Sequence, residues 1–163
     1  MSKVALIGAG KWGSQLGSVL HNLNALSAVV ESRKEAHDEL AKIFPGLPIL
    51  SSIRELAGRG IEAVAIATPP STHYSVAMES LNHGWDVFVE KPMTLSSRDA
   101  KELVDSSNRL NRIVMVGHLM LYHPAMQVIE ATLKSGVLGD LHSIHLQRLG
   151  LGKLRKEENA LWS

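Results

Sequence analysis

The sequence of 163 residues contains no cysteine. Disulfides, zinc–thiolate centres and a cysteine nucleophile are therefore excluded. It also lacks a charge excess of either sign, since 17 basic residues face 16 acidic ones for a net of +1 with histidine neutral. That balance leaves no electrostatic footprint for nucleic acid or an anionic membrane. Long apolar runs are missing too. The longest stretch without a formal charge, Ile113 to Ile129, is interrupted by Gly117, His118, His123 and Pro124, so no membrane span is expected. The apolar run in Met1 to Gly8 is too short for a signal peptide, and a cytoplasmic location is expected. There is no repeat at solenoid periods and no low-complexity segment. What is present, 45% hydrophobic and 20% charged, is the mix of a globular protein with length for one domain and a short extension.

Short apolar runs alternate with amphipathic stretches, the pattern of an α/β protein with a parallel sheet. Strands are expected at Val4–Ile7, Leu26–Val30, Ile49–Leu50, Ala63–Ala67, Asp86–Val89 and Ile113–Val116. Helices are expected at about Lys11–Asn22, Tyr74–His83 and Ser97–Leu110. Ser32-x-x-Glu35 and Ser52-x-x-Glu55 read as capping boxes, the first opening a helix to about Ile43. Six such strands fit a doubly wound Rossmann sheet of order 3-2-1-4-5-6 over residues 1–120. Residues 121–163 read differently. Pro124 to Lys134 is an expected helix, and Leu141 to Leu149 alternates partly, as an antiparallel strand does.

The strongest local motif is Gly8-Ala9-Gly10-Lys11-Trp12-Gly13, a G-x-G-x-x-G between a strand and a helix. Gly8 allows the tight turn, Gly10 lets a pyrophosphate approach the backbone, and Gly13 lets helix pack on strand. The helix N-terminus, at Lys11 and Trp12, favours the negative charge. Glu31 closes the second strand, 18 residues after Gly13, where a carboxylate can accept from both hydroxyls of an adenine ribose. It repels a 2′-phosphate and favours NAD, with Ser32 beside it. Arg33 could pair with that phosphate, which keeps NADP open. Thr68, Pro69 and His73 follow the fourth strand, at the end where ligands bind in open sheets. His73 reads either as a wall near the nicotinamide ribose or as a packing residue. Glu90-Lys91-Pro92 closes the fifth strand. Lys91 could bond a substrate hydroxyl or assist proton transfer there, or else form a surface ion pair with Glu90.

Together Gly8 to Gly13, Ala67-Thr68-Pro69-Pro70 with His73, Glu90-Lys91-Pro92, and Val116-Gly117 with His123-Pro124-Ala125 resemble one family. It is the glucose–fructose oxidoreductase, inositol dehydrogenase and MocA family of nicotinamide-dependent oxidoreductases. Glu-Lys-Pro is the most specific of these motifs. The stretch from Gln147 to Trp162 resembles the sugar-nucleotide branch, which includes UDP-N-acetylglucosamine and UDP-N-acetylglucosaminuronate 3-dehydrogenases. The resemblance implies that Lys91 contacts the reacting sugar hydroxyl and assists its deprotonation. It implies that Glu90 and His73 line the cofactor pocket, and that Arg148, Asn159 and Trp162 lie towards the sugar nucleotide. Hydride would pass from a ring carbon to the nicotinamide.

Two features depart from the family pattern. Leu119-Met120-Leu121 stands where members often carry polar or basic residues. Members are also much longer, with a second domain whose histidine, usually followed by aspartate, is the acid/base. None of the eight histidines here occupies that motif. The expectation is thus a cofactor domain plus the first helix and strand of a truncated α+β substrate domain, which self-associates or is completed by a second chain. A non-catalytic NAD(P)-binding or sensor module is the alternative. No metal site is expected.

Overall fold

Small and branched apolar side chains build six strands in chain order: β1 (Val4–Ile7), β2 (Leu26–Val30), β3 (Ile49–Leu50), β4 (Ala63–Ile66), β5 (Asp86–Val89) and β6 (Val114–Val116). Such residues suit a pleated surface packed on both faces. The computed structural model describes residues 3–147 and 149. All neighbouring strands pair in parallel, in the expected order β3-β2-β1-β4-β5-β6. The crossovers include α1 (Lys11–Asn22), α2 (His37–Ile43), α3 (Pro70–Asn82) and α4 (Ser97–Leu110).

The two-residue alternation of the strands divides the core in two. On one face Ala5, Ile7, Ala28, Val30, Val64, Ile66, Val87 and Val89 cluster with Ala77 and Leu81 of α3 and Leu103 of α4. On the other, Leu6, Val29 and Ala65 cluster with Leu40 of α2 and with Phe44, while Leu16 and Leu20 of α1 pack against them. Leu6 and Phe44 are wholly buried. Each such side chain contributes about 1.5–3 kcal/mol relative to exposure.

Register matters most for the site. Ile7 pairs with Val30 and with Ile66, Ile66 with Val89, and Val89 with Val116. The strands therefore end level. Gly8, Glu31, Ala67, Glu90 and Gly117, each the next residue of its strand, emerge along one edge.

Two local expectations are corrected. Ser32 caps no helix. A three-residue 3-10 turn, Lys34–Ala36, opens instead with Arg33 at its cap position and no side-chain cap, and α2 starts only at His37. Arg33 is extended, with φ −79 and ψ 101, so it is not the first helical residue after a Ser32 cap, and its amide goes to the Glu31 carboxylate at 3.0 Å. The Ser52–Glu55 box, by contrast, forms in full. Helix α3 begins at Pro70, ahead of the expected Tyr74, because Pro69 is extended and a proline at the first helical position has no amide to satisfy.

Residues up to Gly117 form one compact unit, and a second begins at His118. In the second, a 3-10 turn (Leu119–Tyr122) precedes α5 (Pro124–Lys134), where the His123 ring accepts from the Ala125 amide at 3.1 Å. The expected strand Leu141–Leu149 is not formed: the described residues 141–147 and 149 have no regular structure. A strand exists only through ladder bonds to a neighbour, and no neighbour pairs with this one among the described residues. No described helix is long and apolar enough to cross a membrane.

Candidate functional site at the sheet edge

The site grows from the turn after β1. Gly8 has φ +86, a region that favours glycine, and its amide donates to the Val30 carbonyl at 2.8 Å. A Cβ on Gly8 would lie 2.8 Å from Thr68 Cγ2 and from the Thr68 amide nitrogen. A Cβ on Gly13 would overlap the Gly8 carbonyl oxygen. A Cβ on Gly10 would meet no atom within 4 Å. Two glycines are thus held by packing against the chain itself, while the third faces open space.

That space is lined by donors. The amide of Ser14 is bonded to the Gly10 carbonyl at 2.9 Å. Among the described residues, the amides of Gly10, Lys11, Trp12 and Gly13 have no acceptor. The first turn of α1 holds no acidic residue, so the positive end of the helix dipole is uncompensated. Lys11 is exposed and Trp12 is 45% exposed beside this turn. The arrangement fits a pyrophosphate: free amides, a dipole end, and room at Gly10.

Glu31 stands next to it. It is 5% exposed, and its carboxylate accepts from the Ala9 amide at 3.1 Å. Arg33 donates to it from its amide at 3.0 Å, from Nε at 3.1 Å and from Nη2 at 3.0 Å. Burial pushes this carboxyl upwards. The Arg33 side-chain bond, then the Arg33 and Ala9 amides, outweigh burial and hold the group below its ordinary range. Arg33 is thus engaged with Glu31 in a forked pair. The neighbouring Ser32 is exposed. An ionised carboxylate suits ribose hydroxyls and opposes a 2′-phosphate.

Across the edge, His73 lies behind the loop after β4. It is 1% exposed, with Nε2 2.8 Å from the Thr68 carbonyl and Nδ1 2.7 Å from the Pro92 carbonyl. It offers no free ring nitrogen to the crevice. The loop is fixed further by the Thr72 hydroxyl, which donates to the Pro69 carbonyl at 2.7 Å. Glu90 is 7% exposed, and its Oε2 accepts the Lys91 amide at 3.3 Å. Its Oε1 is buried without a partner among the described residues. Gly117 makes room for this carboxylate, since a Cβ there would sit 3.0 Å from Oε1. The Lys91 side chain is exposed, and among the described residues its ammonium forms no ion pair with Glu90 or any other carboxylate. The Lys91–Pro92 peptide is cis.

The structure thus brings Gly8 to Gly13, Glu31, Arg33, Thr68, Pro69, Glu90 and Lys91 to one edge. Arg148, Asn159 and Trp162 lie outside the described residues. No group of acidic residues and histidines among the described residues could hold a metal ion. Sequence reasoning missed the Ala9 amide on Glu31 and the carbonyl partners of His73. Backbone groups carry no residue signature, so nothing in the sequence marks them.

A parallel sheet of this order, with a glycine turn opening α1 and a carboxylate closing β2, defines a dinucleotide-binding Rossmann domain. Residues 2–118 match the GFO/IDH/MocA model, described as an oxidoreductase family with an NAD-binding Rossmann fold, and the chain belongs to that family. It is 31% identical over 151 residues to inositol 2-dehydrogenase of Streptomyces avermitilis, an alignment covering 87% of this chain and 44% of that protein. It is 27% identical over 133 residues to UDP-N-acetylglucosamine 3-dehydrogenase of Acidithiobacillus ferrooxidans, covering 78% of this chain and 40% of that one. The solved structure of GenD2 from gentamicin A biosynthesis, in complex with NAD, superposes with a TM-score of 0.79 at 27% identity. That match covers 87% of this chain and 42% of the other. The chain therefore spans about two-fifths of the length of the curated relatives it matches.

Proposed function

We propose that this chain supplies the cofactor half of an NAD-dependent oxidoreductase acting on a ring hydroxyl of a sugar or sugar nucleotide. The observation that carries this reading is the exposed, unpaired Lys91 on the edge that also holds the glycine turn. β4 lies between β1 and β5, so Lys91 sits two strand spacings, about 10 Å, from Gly8. A dinucleotide with its pyrophosphate on the amides of Gly10 to Gly13 and its adenine ribose on Glu31 would run its other half towards Thr68, Pro69 and Lys91.

Bound nicotinamide would supply the hydride acceptor. The chain's own groups would do the rest. The Lys91 ammonium would donate to the oxygen of the reacting hydroxyl and stabilise the negative charge that grows there as hydride leaves the ring carbon for the nicotinamide, while the hydroxyl proton passes to solvent water. Thr68 and Pro69 would shape the wall beside it. A sugar-nucleotide substrate is supported by the dehydrogenase of Acidithiobacillus ferrooxidans among the relatives, and by the family pattern at Arg148, Asn159 and Trp162. The Glu31 carboxylate favours NAD over NADP.

Titration of the protein with NADH, read by quenching of tryptophan fluorescence with Trp12 in the glycine turn, tests the cofactor half of the proposal. Saturable quenching is expected, with weaker binding of NADPH. A flat titration with both cofactors refutes it. Formation of NADH in the presence of UDP-N-acetylglucosamine, lost in Lys91→Ala, tests the chemistry. Such turnover would reject the alternative of a binding module that performs no chemistry.

A further inference from the structure

We propose that His73 is a positioning residue whose two ring nitrogens fix the Thr68 loop and the Lys91–Pro92 turn relative to each other. The inference rests on the cofactor and lysine roles proposed above. It assigns His73 a task that a pocket-lining residue would not have.

His73 is 1% exposed and sits in the first turns of α3, which follows Thr68 directly, while Pro92 lies 19 residues further along the chain. Nε2 reaches the Thr68 carbonyl at 2.8 Å and Nδ1 the Pro92 carbonyl at 2.7 Å. The ring is planar and rigid, so two bonds at opposite nitrogens set the distance between two carbonyls. Both partners are acceptors, so the two bonds coexist only with a proton on each nitrogen, and a ring with one N–H holds one carbonyl at a time. Each arm has its own consequence. Thr68 packs on the glycine turn, since its Cγ2 and amide nitrogen lie 2.8 Å from a Cβ placed on Gly8. Pro92 follows Lys91 directly, and the Lys91 amide donates to Glu90 at 3.3 Å, while Met93 packs against the core beyond it. One side chain thus ties the cofactor turn to the lysine.

Asparagine and glutamine separate the arms. An asparagine amide nitrogen falls near the position of Nδ1, and a glutamine amide nitrogen near that of Nε2. His73→Gln should keep the Thr68 arm and His73→Asn the Pro92 arm. Amide hydrogen exchange, read by mass spectrometry without cofactor, measures each segment separately. His73→Gln is expected to speed exchange at least tenfold in residues 91–95 and less than twofold in 67–72. His73→Asn is expected to do the reverse, and also to weaken NADH binding at least tenfold. Loosening of both segments equally in both variants, or of neither, overturns the proposal. If neither variant folds, the wild-type protein labelled with 15N-histidine decides: two ring N–H protons protected from exchange support the clamp, and one bare ring nitrogen overturns it. A wild type that binds no NADH would sink the cofactor reading, while the exchange pattern would still decide the clamp.

Discussion

Adding one methyl group at Gly10 and at Gly13 should separate a glycine kept for the ligand from one kept for the fold. At Gly10 the backbone has φ −66 and ψ −170, which alanine adopts without strain, and its Cβ meets nothing within 4 Å. Alanine gains about 0.4–1 kcal/mol by restricting the unfolded chain. It loses a comparable few tenths to 1 kcal/mol as a poorer helix cap. Gly10→Ala should therefore melt within about 2 °C of wild type. Its methyl would occupy the space left for the pyrophosphate. Losing one charge-assisted bond of about 1.5–3 kcal/mol weakens NADH binding roughly 10- to 150-fold. At Gly13 the added Cβ overlaps the Gly8 carbonyl, a backbone atom that cannot swing away, and touches Ala67 Cβ at 3.3 Å. Overpacking of that kind costs about 1–3 kcal/mol. For a domain of this size that lowers the melting temperature by roughly 4–12 °C. The assay is a thermal melt followed by NADH titration on both variants. Wild-type affinity in Gly10→Ala, or wild-type melting in Gly13→Ala, would refute the assignment of the two glycines.

Glu31→Gln should lose the preference for NADH over NADPH in competitive titrations, since no carboxylate then opposes the 2′-phosphate. The Glu31 carboxyl is held below its ordinary value of 4.5 in the folded state, so its stabilisation is complete above that value and lost as pH falls through the folded one. Urea midpoints of wild type should therefore fall on acidification below about pH 4.5, and Glu31→Gln should remove part of that slope; parallel slopes would show that Glu31 is not the linked group. Lys91→Met should leave the melting temperature within about 1 °C, because surface side chains without partners contribute little; a drop of several degrees would mean that the ammonium is paired. Gly117→Ala forces a Cβ to 3.0 Å from a buried carboxylate oxygen of Glu90 and should cost about 1–2 kcal/mol in urea unfolding. An unchanged midpoint there would show that Glu90 moves freely.

Topology was legible because buried parallel strands declare themselves as uninterrupted apolar runs, such as Ala63 to Ile66. Glycine spacing and the residues that end β2 and β5 marked the edge, since each motif is local in sequence. Three things were not legible, each for a physical reason. Ser32 had the composition of a cap, but Arg33 after it is extended and takes the cap position itself. Leu141 to Leu149 had the alternation of a strand, but alternation records a preference for one face and supplies no partner. His73 could be read as a wall or as packing because its partners are carbonyls of Thr68 and Pro92, 5 and 19 residues away.

The wiring of Glu31 joins cofactor choice to the fold. The carboxylate that would receive the ribose already holds the Ala9 amide, inside the glycine turn, and the Arg33 guanidinium, outside it. Ribose hydroxyls must share those oxygens with Arg33 or move it aside. The Ala9 bond is different, because breaking it would release the turn that aims the amides of Gly10 to Gly13 at the pyrophosphate. Arg33, with a side chain 55% exposed, is the partner that can move at low cost. Adenine-side binding would therefore exchange Arg33 for ribose while keeping Ala9 in place. A 2′-phosphate would gain from the freed Arg33 but would still meet Glu31, whose charge is fixed by the same turn that binds the pyrophosphate. A preference for NAD would then follow from the carboxylate's structural duty, and changing it would require replacing the bond to Ala9 as well as the charge.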